Sequence, residues 1–170
     1  MSTTQALGTF EPHGDRIDVC FERHYPRPVE TVWSALTDPV RLADWMGVSY
    51  VEPFVGGRIE LMKDIPHGAT GRVRVWDPPR VLEFSWSSTH APDSVVRYEL
   101  RPESSGTHLI FTHHGMPYEN SALMLPGWHD YFGRLGSLLD GAPPREGPNF
   151  RAMQAAYIDR YHLAGVRLDP

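Results

Sequence analysis

"PVETVWSALTDPVRLADWM", residues 28–46, holds two helical patterns separated by a proline. Pro28 suits a helix start, where its missing N–H costs nothing. Val29, Val32, Trp33 and Leu36 then recur at three- and four-residue spacing and give one apolar face. Thr37 or Asp38 can cap a second helix whose first turn holds Pro39, and Val40, Leu42, Ala43 and Met46 are its apolar positions before Gly47 ends it. The reading is helix, cap, helix, with one tryptophan in each. Trp33 lies in the first stripe and belongs to a core. Trp45, after the break, fits either a movable lid at a pocket mouth or a ring that plugs a closed core end.

Outward from this segment the period changes to two. Upstream, "DRIDVCFERH" at 15–24 alternates as a half-buried strand does, and residues 1–14 are expected to form a poorly ordered arm. Downstream, "SYVEPFVGGRIELMK" contains a Gly56-Gly57 hairpin signal. Val73 and Val75 then share a face, as do Leu82, Phe84 and Trp86, then Val96, Tyr98 and Leu100, then Leu109, Phe111 and His113. The connections between these runs are short, which makes neighbouring strands antiparallel. Helical spacing returns in 119–140, where Trp128, Phe132, Leu135 and Leu139 form a stripe and Pro126-Gly127 puts the regular helix start, or a kink, near 127. After the linker "GAPPREGP", a last amphipathic segment carries Phe150, Met153, Ala156, Tyr157 and Tyr161 on one face. The expected organisation is an arm at 1–14, an α+β domain at 15–141 and an appended helical segment at 142–170. A sheet of this length must bury one face, and the long helix has the stripe to cover it.

Composition narrows the function classes. The chain of 170 residues is 41% hydrophobic and 22% charged, as ordinary globular proteins are. Its net charge of -5 repels phosphate backbones, so nucleic acid is not an expected partner. No apolar run reaches the roughly 18 residues of a membrane span, and no secretory pattern opens the chain, so a cytoplasmic location is expected. One cysteine, Cys20, rules out an internal disulfide framework.

The chemical candidates are few. Nine histidines invite a metal reading, densest at "THHG" 112–115, but His113 and His114 are adjacent in a strand and point to opposite faces. No metal-ligand spacing, nucleophile elbow or phosphate loop occurs, so neither metal nor cofactor is expected. General acid/base chemistry in an apolar interior is left, with His113 and Tyr98 as catalytic candidates. The other reading gives these two groups a hydrogen bond to each other, or a role in orienting a ligand. Phe84, Trp86, Phe111, Met116, Trp128 and Phe132 converge from three elements, as a pocket lining or as plain core.

Taken in order, several segments resemble a known family: "PxExVWxALTDPxxLxxW" at 28–45, "VGG" at 55–57, "GxVxV" at 71–75, "PPRVLEFSW" at 78–86, "GTHLIFTHHG" at 106–115 and "GW" at 127–128. The pattern, over residues 15–140, is similar to the AHSA1-like branch of the START-like, or SRPBCC, superfamily. That resemblance implies a helix-grip fold, a curved antiparallel sheet around a long C-terminal helix with an apolar pocket between. It implies a small hydrophobic ligand and a pocket of Trp45, Phe84, Trp86, Tyr98, Phe111, His113, Met116, Trp128 and Phe132. Two other readings follow from it: a polyketide cyclase or dehydratase using His113 and Tyr98, and a co-chaperone-type interaction module. The apolar face within 143–170 is expected to join a second copy as a homodimer, or to dock across the mouth of its own pocket.

Overall fold

The computed structural model describes residues 5–143 and 149–170. The strands are β1 (Thr9–His13), β2 (Arg16–Tyr25), β3 (Tyr50–Val51), β4 (Arg58–Leu61), β5 (Ala69–Asp77), β6 (Val81–Trp86), β7 (Ser94–Glu103) and β8 (Gly106–Pro117). They form an eight-stranded antiparallel sheet in the order β1-β2-β8-β7-β6-β5-β4-β3. Helices α1 (Val29–Thr37) and α2 (Pro39–Trp45) follow β2, α3 (Ser121–Leu139) lies in the grip, and α4 (Phe150–Tyr161) comes last. This is the α+β helix-grip architecture. The inner face follows the alternation read from the sequence: Leu82, Phe84, Trp86, Val96, Tyr98, Leu100, Leu109, Phe111 and His113 are all buried. So is the α3 stripe of Trp128, Phe132, Leu135 and Leu139.

The break between α1 and α2 is capped as expected, with the Asp38 side chain accepting from the Val40 N–H at 3.0 Å. Pro39 also has a second effect. Lacking an N–H, it cannot serve the carbonyl four residues back, that of Ala35. The Trp45 indole N–H donates to that carbonyl at 2.8 Å. This contact explains a tryptophan after the break, and it corrects the lid reading: Trp45 is 2% exposed and tied to α1. Trp33 packs instead on Trp76, with ring centroids 5.2 Å apart.

The same device corrects the start of the long helix. α3 begins at Ser121, not near 127, and Pro126 lies inside it. Proline there leaves the Ala122 carbonyl without its helical donor, and the buried Gln154 of α4 supplies one at 3.0 Å. Its second N–H reaches the Leu168 carbonyl at 3.1 Å. Gln154 thus fastens the tail to α3, and leaving the Ala122 carbonyl bare would cost about 1–3 kcal/mol.

The ends of the chain differ from expectation in two further ways. The proposed arm contains β1, which pairs with β2 from Thr9↔Cys20 to His13↔Arg16 around a Gly14-Asp15 turn. Gly14 has φ +68, which the turn requires and glycine supplies without strain. In α4 the inward residues are Gln154 and Tyr157, with Met153 and Tyr161 half-buried, whereas Phe150 is 42% exposed and Ala156 faces solvent. Tyr157 accepts the Gly8 N–H at 2.9 Å, and the Tyr161 hydroxyl donates to the Gly8 carbonyl at 2.6 Å. The tail therefore covers its buried residues with α3 and the N-terminal segment of the same chain. It packs against α3 through Tyr157 on His129 and Gln154 on the Ala122 carbonyl. The linker residues 144–148 and Met1–Thr4 of the arm lie outside the described residues.

Candidate functional site

His113 on β8 is fully buried between β7 and α3. The Trp128 indole N–H donates to its Nδ1 at 3.1 Å, and its Nε2 lies 2.8 Å from the Ser94 hydroxyl at the start of β7. An indole nitrogen only donates, so Nδ1 carries no proton and Nε2–H donates to Ser94. Ser94 passes its own hydrogen to the carbonyl of Ala91 or of Trp86, at 3.0 and 3.1 Å. The neutral imidazole has every hydrogen-bonding position filled. Burial, helped by the neighbouring charge of His114, pushes His113 down to about 3. It is neutral at physiological pH, and its one lone pair is occupied.

Tyr98 faces the same interior but does not meet His113. In the sheet register it stands opposite Leu82 and Phe111, while His113 stands opposite Val96. Burial pushes the Tyr98 phenol well above its ordinary range. Its hydroxyl makes no hydrogen bond among the described residues. The two catalytic candidates are thus not joined as an acid/base pair, and they do not satisfy each other.

The aromatic candidates do come together. Phe111 lies 4.4 Å from Trp128 and 4.9 Å from Phe132 between ring centroids, and Trp86 lies 5.3 Å from Trp128. Phe84 links Trp86 to Tyr98, 6.4 Å from each. Met116, turned inward after Gly115 at φ +76, is fully buried. Among the described ring contacts, Trp45 reaches this group through Tyr131, whose ring is 6.4 Å from Trp45 and 6.2 Å from Trp128. The Tyr131 hydroxyl points to the Met62 sulfur at 3.1 Å. Beyond Met62 the surface exposes Val48, Tyr50, Phe54, Val55 and Ile65.

Sequence reading missed Ser94 and Tyr131. A serine after "APD" resembles a turn residue, and only the Trp86↔Ser94 register shows that it enters the sheet beside His113. A surface groove of about 310 Å³ lies elsewhere, where His67, His90, Leu123, Phe150 and Leu168 meet at the start of α3. Among the described residues no cluster of three His, Cys, Asp or Glu side chains could hold a metal ion. No described helix is long and apolar enough to cross a membrane.

The family model of the activator of Hsp90 ATPase homolog 1-like protein (AHSA1) matches residues 26–140. The chain belongs to that family. The AHSA1 match spans the grip from α1 to the end of α3. Among solved structures, CalU16 from Micromonospora echinospora is 25% identical with a TM-score of 0.72, covering 95% of this chain and 97% of its own. MLL2253 from Mesorhizobium loti is 30% identical with a TM-score of 0.65, covering 73% of this chain and 97% of its own. DynU16, described as a protein in the dynemicin biosynthetic locus, is 28% identical with a TM-score of 0.68, covering 75% of this chain and 49% of its own. No curated protein matches the chain significantly.

Proposed function

We propose that this AHSA1-like protein binds a small apolar, ring-containing molecule in the interior of the grip and performs no proton chemistry at His113. The observation that carries the reading is the aromatic cluster of Phe84, Trp86, Phe111, Trp128 and Phe132 between the sheet and α3, with Tyr98 against Phe84 and Phe111. A tyrosine hydroxyl among aromatic rings is the kind of placed polar group that orients a ligand in an apolar pocket. Aromatic faces around it supply area and stacking for a rigid apolar body. Tyr131 and Met62 form the path from the cluster to the apolar rim, and the flexible methionine is the side chain best able to give way.

The cyclase or dehydratase reading needs a histidine with a free lone pair, and that of His113 is held by Trp128. DynU16 supports a natural-product-like ligand, since its locus is biosynthetic. The exposed apolar rim around β3 and β4 supports a second reading, a protein-interaction module. A homodimer through 143–170 would have to use the flanking Phe150 and Leu168, because Tyr157 and Gln154 are spent within the chain. We place the protein in the cytoplasm, where its half-buried thiol Cys20, pushed up by burial, stays reduced.

Native mass spectrometry of the purified protein, against its denatured mass, tests the reading. The expected result is a monomer carrying a releasable apolar small molecule. An empty protein that also takes up no added aromatic compound would contradict it and leave the rim as the working surface.

A further inference from the structure

Arg23 is the one cationic side chain on the inner face of β2, where Ile17, Val19, Phe21 and Tyr25 share its orientation, and it is 5% exposed. Its Nη1 donates to the Glu22 carbonyl at 2.9 Å. Its Nε and Nη2 are buried and have no acceptor among the described residues. These two donors lie on one edge of the guanidinium and point the same way, the arrangement that takes both oxygens of a carboxylate. A buried cation with that edge empty is costly, and the surroundings do little to offset it. The guanidinium carbon lies 5.2 Å from the centre of the Phe21 ring. The nearby hydroxyls are committed: Tyr25 donates to the Phe132 carbonyl at 3.1 Å, and Tyr157 is shared by the Gly8 N–H and His129 Nδ1, each at 2.9 Å. Burial and Arg23 itself hold His129 down at about 4, so it is neutral and adds no second charge.

The position abuts the aromatic interior, for the Phe21 ring lies 5.3 Å from Phe132 and 6.1 Å from Phe111. Gly8 packs on the Phe21 ring beside Arg23, so closely that a Cβ would press on that ring, and it is held there by Tyr157 and Tyr161. We propose that Arg23 is the head-group site for an aromatic carboxylic acid, whose ring system lies in the grip and whose carboxylate takes the free edge once the segment at Gly8 moves aside. This inference rests on the apolar-ligand reading and names the class of ligand. It adds a charged anchor apart from Tyr98.

The test is calorimetric titration of the full chain with 2-naphthoate and with 2-naphthalenemethanol, the same ring system without the charge. The acid should bind about tenfold more tightly or better, as one charge-assisted pair allows. Arg23→Leu should erase that preference, leave the alcohol's affinity unchanged and keep or raise Tm, because an unpaired buried charge is gone. Should that variant fail to fold, Arg23→Lys keeps the charge, loses the two-pronged edge, and should lose most of the preference. Equal affinities in the native protein, or a preference that survives in Arg23→Leu, would overturn the inference and leave the apolar-ligand reading standing. Binding of neither compound would overturn both.

Discussion

Lowering the pH from about 6.5 to 4 should remove several kcal/mol of stability, enough to unfold a domain of ordinary strength. His113 and His129 are held neutral by burial, down to about 3 and about 4 from an unfolded value of 6.5. Between those values the unfolded chain binds protons that the folded chain refuses, so stability is complete above pH 6.5 and falls as the pH drops. Each histidine contributes up to about 1.4 kcal/mol per pH unit, together about 3. The exposed His13 beside Asp18, raised by that hydrogen bond, has its effect above this window and does not counter the loss. Urea midpoints across the range should show the slope. His113→Gln, which can still accept from Trp128 and donate to Ser94, should halve it. A native protein equally stable at pH 4.5 and 6.5 would contradict the assignment of both histidines as neutral and locked.

Trp128→Ala should be the most damaging single change in the grip. Losing a buried tryptophan side chain costs about 3–5 kcal/mol, and stripping a buried acceptor of its donor adds about 1–3 kcal/mol. Trp128→Phe separates the two contributions. It keeps a ring among Phe111, Trp86 and Phe132 but removes the N–H that holds His113 Nδ1. The expected loss is about 1–3 kcal/mol, with a His113 that titrates at higher pH because its lone pair is free. Chemical denaturation measures the first and histidine NMR titration the second. If His113 titrates unchanged in Trp128→Phe, the indole bond is not what holds the tautomer.

What could be read from the sequence was local. Asp38 and Pro39 announce the break between α1 and α2 by themselves, and period-two alternation turns Tyr98, Phe111 and His113 inward without any knowledge of their neighbours. Partners across the fold were not readable in that way. Trp45 and Gln154 each satisfy a carbonyl that a proline has left bare, and the sequence shows the two prolines but not which distant side chain arrives. The start of α3 at Ser121 was hidden for the same reason: Pro126 reads as a boundary or a kink until Gln154 serves the carbonyl it leaves bare. β1 could have been found, since Gly14-Asp15 is a two-residue hairpin signal beside an already recognised strand. Arg23 could also have been found, by extending the alternation of Ile17, Val19 and Phe21 two residues further. Its unfilled edge emerges only when the surrounding residues are in place.

The most direct test of the ligand-binding account is the set of five tryptophan indole N–H signals in a 15N-correlated NMR spectrum, followed during titration with 2-naphthalenemethanol. Trp86 and Trp128 sit together within the aromatic cluster of the grip, while Trp33 and Trp76 pack on each other and make no ring contact with that cluster among the described residues. The account predicts that the signals of Trp86 and Trp128 shift saturably while those of Trp33 and Trp76 stay in place. Shifts confined to surface residues around β3 and β4, with Trp86 and Trp128 unmoved, would contradict it.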